Sequence, residues 1–405
     1  MSRLSTLNPT RRRQVLAAIS SFMNLIMIYV SLGMELAGRL SAKRHLQPRL
    51  GRQPLDTYLV RHYDRQRHLR NTTKISDTYT FDQIRMNRGL FRRFCEVLTV
   101  QGGLKKTRNV DIDEMVYTFL RTISHNEKNR TLQVNLRRSG ETISRSIHRV
   151  LKAVIRLNNQ FMKKPVPIPT NETSSRWKHF KRCLGSLDGT HIDVRPLTED
   201  KPRYRDRKGH RPPNHEFLGV STPNLEFVYC LAGWEGSAHD SRVLQDALTR
   251  PNGLNVPQGN YYLCDAGYAN CPRFLAPYRG QRYHLKEWGT RQPETAEEYY
   301  NMKHAAARNV IERIFGILKM TFAILRKATW FTPKEVSRIV IACCIIHNFI
   351  KEEYGVDEIE RTYPDTELEQ HPSAGLETIE GTSMQPSAAW TQFRNDKATF
   401  MWDNR

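Results

Sequence analysis

The stretch CLGSLDGTHIDV, Cys183–Val194, decides the fold. Its left half is apolar enough for a buried strand, yet Asp188 stands in the middle with Gly189 directly behind it. A carboxylate that faces a low-dielectric region must be paired or must hold a metal ion. Downstream, EFLGVST and LEFVYCLAG read as two more strands, with Pro223-Asn224 as the hairpin turn between them. SAHDSRVLQDAL, Ser237–Leu248, reads as a helix capped by Ser237 or His239, and GNYYLCDAGY, Gly259–Tyr268, holds a strand ending at Asp265. The long run EEYYNMKHAAARNVIERIFGILKMTFAIL is strongly helical and carries Glu312. Strands, then helix, strand and helix predict an α/β domain with a mixed sheet over residues 176–350.

Outward from this core the composition changes. The chain has 405 residues, 39% hydrophobic, and a formal net charge of +22. It is long enough for more than one domain and a sizeable core. So large an excess of Lys and Arg concerns partners rather than fold, and nucleic acid is the default polyanion. Seven cysteines, an odd number without a CxxC pair, argue for a reducing compartment and against both a disulfide framework and a cysteine zinc site. Residues 1–60 form a basic extension around the apolar segment Val15–Leu36, which is diluted by Ser20, Ser21, Asn24, Ser31 and Glu35. It reads as a packed or interface helix rather than a membrane span. The basic clusters Arg11–Arg13 and Ser41–Arg52 are candidate nuclear import signals.

Residues 80–162 are helical in pattern. Within RTLQVNLRRSGETISRSIHRVLKAVIRL, Arg130–Leu157, a short helix, a turn at Ser139–Gly140 and a second helix from Glu141–Thr142 suggest a helix-turn-helix. Arg137, Arg138, Arg145 and Arg149 are its candidate DNA contacts, although an αα-hairpin with a solvated basic face has the same pattern. The proline-rich Lys163–Ser175 marks a domain boundary. Residues 351–380 hold ten acidic and two basic side chains, so 351–405 reads as an acidic, flexible tail.

Two strand-borne aspartates and a helical glutamate supply three hard oxygen ligands, which suit Mg²⁺, with Mn²⁺ as a substitute. Paired ions held roughly 3.5–4 Å apart activate water and stabilise the leaving oxygen of a phosphodiester. Local pattern alone leaves other acids open. Asp193 falls on the opposite strand face from Asp188 and reads as structural. Asp240, His191 and His239 read as groups that orient the ligands. The loop DKPRYRDRKGHRP offers Arg203, Arg205, Arg207, Lys208 and Arg211 to a DNA backbone. Arg308, one turn before Glu312, is either a further DNA contact or an ion-pair partner of Glu312.

The ordered words LDGTHI, GWEGSAHDSRVL, CDAGY, RNVIERIFGILK and ACCIIHNFI resemble the transposases of PIF/Harbinger-type DNA transposons and their domesticated nuclease-like relatives. The resemblance covers roughly residues 80–350. It implies an RNase H-like core preceded by a helical domain, with Asp188, Asp265 and Glu312 as the Asp-Asp-Glu triad. It further implies a nuclear, metal-dependent DNA endonuclease, shuttling from the cytoplasm, that cuts and joins at terminal inverted repeats of double-stranded DNA. A homodimer or higher oligomer and a separate Myb/SANT-like DNA-binding partner are part of that expectation; no membrane is. The competing readings are a domesticated adaptor that keeps the fold without cutting, and a simple DNA-binding regulator.

Overall fold

The computed structural model describes residues 21–23, 25, 55–205, 212–283, 292–355, 358–362 and 385–405. The chain divides into two compact units, Met1–Arg61 and His62–Arg405. Of the first, Ser21–Met23 and Leu25 are helical, and the rest of the apolar segment and both basic clusters lie outside the described residues. Among the described residues no helix is long and apolar enough to cross a membrane.

The helical region comprises α1 (Leu55–Thr73), α2 (Asp77–Ile84), α3 (Arg88–Val100), α4 (Ile112–His125), α5 (Asn129–Leu136), α6 (Gly140–Arg156) and the short α7 (Asn158–Phe161). The apolar periodicity of FDQIRMNRGLFRRFCEVL runs through a break. Arg85 takes a left-handed conformation, and the Asn87 side chain accepts from Leu90 N, so one pattern becomes α2 and α3. The helix-turn-helix pattern is realised as α5 and α6, with Ser139 capping α6 by accepting from Thr142 N. Ile143, Ile147, Val150, Leu151 and Val154 line the buried stripe of α6.

The sheet has strands β1 (Cys183–Asp193), β2 (Asn214–Ser221), β3 (Phe227–Glu235), β4 (Tyr261–Leu263) and β5 (Phe274–Leu275), in the order β3-β2-β1-β4-β5. The first three form an antiparallel meander, while β4 and β5 add parallel to β1. Helix α8 (Asp240–Thr249) bridges β3 and β4, and α9 (Ala296–Thr321), α10 (Pro333–Tyr354), α11 (Glu358–Thr362) and α12 (Ala388–Asp403) follow. This is the helical region plus mixed sheet expected of an RNase H-like α/β fold.

Both faces of the sheet are covered. Leu184, Leu187, Leu218 and Val220 pack with Val243 and Leu244 of α8. On the other face Phe217, Phe227 and Phe315 of α9 form an aromatic cluster, with Phe217 and Phe315 centroids 5.5 Å apart. Gly219, the register partner of Asp188, makes that approach feasible, since a Cβ there would lie 2.5 Å from the Phe315 ring. The helical region joins the same core through Phe94 and Phe161, both against Phe349 of α10. Asn348 ties the junction by accepting from Phe227 N and donating to Phe161 O and Phe227 O. The proline-rich joint is pinned beside β1, with Ile168 N donating to Cys183 O.

Composition suggested a flexible end, but α12 is docked. Trp390 Nε1 donates to Phe274 O at 2.9 Å, Lys397 Nζ to His179 O at 2.9 Å, and Met401 is fully buried. Residues 363–384 of the acidic stretch lie outside the described residues.

Candidate active site

β1 delivers Asp188 from its middle, and Asp265 lies two residues beyond β4, the neighbouring parallel strand. Each aspartate is steadied by the next backbone N–H: Gly189 N donates to Asp188 Oδ1 at 2.9 Å and Ala266 N to Asp265 Oδ1 at 2.7 Å. Glu312 comes from the middle of α9, one turn before the Phe315 that seats the helix on the sheet. The three acids, remote in sequence, meet at one place.

They meet on a guanidinium. Arg308 Nη1 is 2.9 Å from Asp188 Oδ2, and Nη2 is 2.5 Å from Glu312 Oε1 and 3.9 Å from Asp265 Oδ1. Its Nε donates to Tyr283 Oη at 2.8 Å, and the side chain is only 3% exposed. Asp188, Asp265 and Glu312 keep 20%, 12% and 13% exposure, so the site opens on the carboxylate side. Burial pushes the Asp188 carboxyl up to about 7; Arg308 opposes that, while Asp265, Glu312 and Asp240 reinforce it. Burial disfavours the charge on Arg308, but Tyr283, Glu312, Asp188 and Asp265 outweigh it and hold its pKa well above the usual value.

The hard-oxygen donor set fits a divalent ion, and a cationic group at the meeting point shows that these oxygens can gather around positive charge. Among the described residues, however, no group of three or more His, Cys, Asp or Glu stands in metal-holding geometry. The acids are spaced by the guanidinium, which is wider than a bare ion.

Two further acids stand nearby. A Cβ on Gly267 would lie 3.5 Å from both Asp240 Oδ2 and Asp265 Oδ2. A Cβ on Gly189 would lie 2.6 Å from Glu216 Oε1 and 3.7 Å from Asp240 Oδ1. Gly189 is therefore the space that Glu216 occupies. Tyr268, buried beneath, has its hydroxyl pushed well above the ordinary range by burial and then by Asp240, Asp188 and Glu216. Asp240 opens α8, with His239 at the N-cap position and no side-chain cap bond. His191 is in register with Glu216, on the strand face opposite Asp188. Glu216, Gly219 and Tyr283 escaped the sequence reading. A glutamate at the head of the apolar run EFLGV was the visible signal for the first.

The basic candidates are scattered. Arg138 is bound to Glu114 at 2.6 Å with 13% of its side chain exposed, and Arg137 faces Asp64 at 3.6 Å. Arg145 and Arg149 are exposed on α6, the former beside Glu141 at 2.5 Å. Arg203 pairs with Glu235, and Arg205 is exposed. Arg207, Lys208 and Arg211 lie outside the described residues. Among the described members of this set, Arg308 alone is part of the acidic centre.

Residues 187–348 match the model of the DDE superfamily endonucleases, and residues 62–156 match a domain of unknown function, DUF8040. The human protein named "Putative nuclease HARBI1" is 27% identical over 262 residues, covering 61% of this chain and 69% of that protein. "Protein ALP1-like" of Arabidopsis thaliana is 26% identical over 223 residues, covering 50% of this chain and 51% of that one. No solved structure matches. The strand order is that of an RNase H-like α/β fold, and the likeness to the DDE superfamily endonucleases lies on residues 187–348 of it. Through these relatives the chain is similar to the PIF/Harbinger-type transposases, among them the HARBI1-like nucleases.

Proposed function

We propose that the chain is a divalent-metal-dependent DNA endonuclease of transposase type, hydrolysing phosphodiester bonds at element ends and joining strands. The observation that carries this reading is the convergence of Asp188, Asp265 and Glu312 from two adjacent parallel strands and a crossing helix. These residues would hold Mg²⁺ or Mn²⁺, which when bound supplies an activated water and charge stabilisation at the leaving oxygen. The backbone N–H groups of Gly189 and Ala266 each fix Oδ1 of the preceding aspartate, which at Asp188 leaves Oδ2 to face Arg308. Phe315 against Gly219 sets the depth at which α9 presents Glu312. Asp240, which borders Gly267 together with Asp265, would act as an orienting group. The exposed Arg145 and Arg149 on α6, and Arg203 and Arg205, would contact phosphates.

Nuclear action, double-stranded terminal repeats as substrate, a homo-oligomer that brings two ends together, and a Myb/SANT-like partner complete the proposal. It is tested on supercoiled DNA carrying terminal repeats, with Mg²⁺ or Mn²⁺, with and without the partner, beside Asp265→Asn. Metal-dependent nicking abolished in the variant is the expected result; cutting that persists there removes Asp265 from the mechanism.

A second reading, a non-cleaving DNA-associated adaptor, is favoured by one observation: an internal cation already pairs the acids. DNA binding without cutting under any metal and partner condition would establish it.

A further inference from the structure

The acids of the site are held by a charge the chain itself supplies. We infer that Arg308 is a positioning residue that gathers Asp188, Asp265 and Glu312 in the metal-free protein and yields its grip on their oxygens when divalent ions load. The inference rests on the reading of those three acids as metal ligands.

The geometry gives Arg308 this place. Its guanidinium touches Asp188 Oδ2 and Glu312 Oε1, and lies 3.9 Å from Asp265 Oδ1. A divalent ion would draw on the same carboxylates, and one oxygen cannot give its best contact to both cations. Around this one guanidinium stand three carboxyl groups, hard oxygens to which a doubly charged ion is drawn. Arg308 and Glu312 share one helical face, so release requires a side-chain rotation and no movement of α9. Tyr283 Oη, which accepts from Arg308 Nε at 2.8 Å, is the anchor that would keep the displaced arginine close by.

The thermodynamic consequence is competition. When the ion-accepting arrangement is populated only in part, apparent affinity falls by that fraction, and removing the competitor restores it. Arg308 thus trades metal affinity for a preassembled, stable centre.

The test is direct Mn²⁺ titration, by electron paramagnetic resonance of the free ion, together with thermal melting, on the full chain, Arg308→Met, Tyr283→Phe and Asp265→Asn. We expect Arg308→Met to bind Mn²⁺ more tightly by about tenfold, and to melt below wild type without metal. Saturating Mn²⁺ should close most of that melting gap, because the ion takes over the arginine's charge. Tyr283→Phe, which keeps the guanidinium and frees its anchor, should change the affinity by at least about twofold. Unchanged or weaker Mn²⁺ binding in Arg308→Met, with a melting gap that metal does not close, makes Arg308 a purely structural pair and overturns the inference. Should Arg308→Met fail to fold, an affinity in Tyr283→Phe equal to wild type overturns it instead. Wild-type titration indistinguishable from that of Asp265→Asn is a different failure, because it removes the metal-ligand reading itself.

Discussion

Glu114 and Arg308 are both buried charges met by opposite charges from distant parts of the chain, but their ratios are inverted. In the helical region one acid, Glu114, lies between two arginines, Arg65 at 3.3 Å and Arg138 at 2.6 Å, all with 13% or less of the side chain exposed. In the acidic centre one arginine lies among three acids that keep 12–20% exposure. The first cluster is closed, so it behaves as a clamp joining α1, α4 and the α5–α6 turn. The second is open on its carboxylate side. Carboxylates gathered on a buried charge and still reached by solvent are a place for an ion, whereas a pairing that is enclosed is a fastening.

The largest effect expected from breaking this contrast is at the clamp. Glu114→Gln leaves two buried arginines without a carboxylate and should cost roughly 3–5 kcal/mol. The urea midpoint should fall by the same amount with and without Mn²⁺, and rescue by the ion would show that the two clusters are not distinct in kind.

A middle-sized effect tests how the open cluster is assembled. Gly219→Ala pushes a methyl group to within 2.5 Å of Phe315. The overpacking should cost about 1–3 kcal/mol. Because α9 must lift, Mn²⁺ binding and DNA nicking should fall further than the melting temperature suggests. A variant with lowered stability and unaltered Mn²⁺ binding would mean that Phe315 does not set the height of Glu312.

The smallest effect comes from a third pair, one to one and facing solvent. His148 on α6 meets Glu335 on α10 at 2.6 Å, with 46% of the imidazole side chain exposed. The hydrogen bond to Glu335 raises the His148 pKa against the opposing effect of burial. At Glu335 burial raises the pKa, but the bonds from His148 and Thr332 outweigh it and the net direction is down. The pair's contribution is therefore complete below the ordinary histidine value, and is lost as pH rises through the raised one; at the acid end it is lost as pH falls through the lowered carboxylate value. In solvent it should amount to roughly 0.5 kcal/mol. Chemical denaturation from pH 5 to 9 should show a shallow loss on the alkaline side in wild type, roughly 0.5 kcal/mol in all, that His148→Gln removes.

The order of elements was readable because strands, turns and helices announce themselves through local periodicity, whereas Asp188, Asp265 and Glu312 stood out from the other acids only through the family resemblance of the words around them. The hairpin of β2 and β3, the helix carrying Glu312 and the α5–α6 pair appear where the pattern placed them. Strand β4 stops at Leu263, short of Asp265, and the two-residue β5 was missed because it is too short to alternate. What could not be read depends on contacts between remote residues. The i,i+4 relation of Arg308 to Glu312 is visible in sequence, but its reach to Asp188 exists only once α9 crosses the sheet. Gly219 looks like any strand glycine until Phe315 lies on it. Glu114 looks in sequence like any early helical acid, and only the arrival of Arg65 and Arg138 gives it its role.

The docking of α12 has a consequence for the solubility of the sheet. Trp390, Arg394 and Lys397 cover β5 and the approach to β1 through bonds to Phe274 O, Pro277 O and His179 O. α12 follows every strand in chain order, so that side of the sheet stays bare until the helix docks. A chain that lost α12 would expose a strand edge, and its first failure would be aggregation.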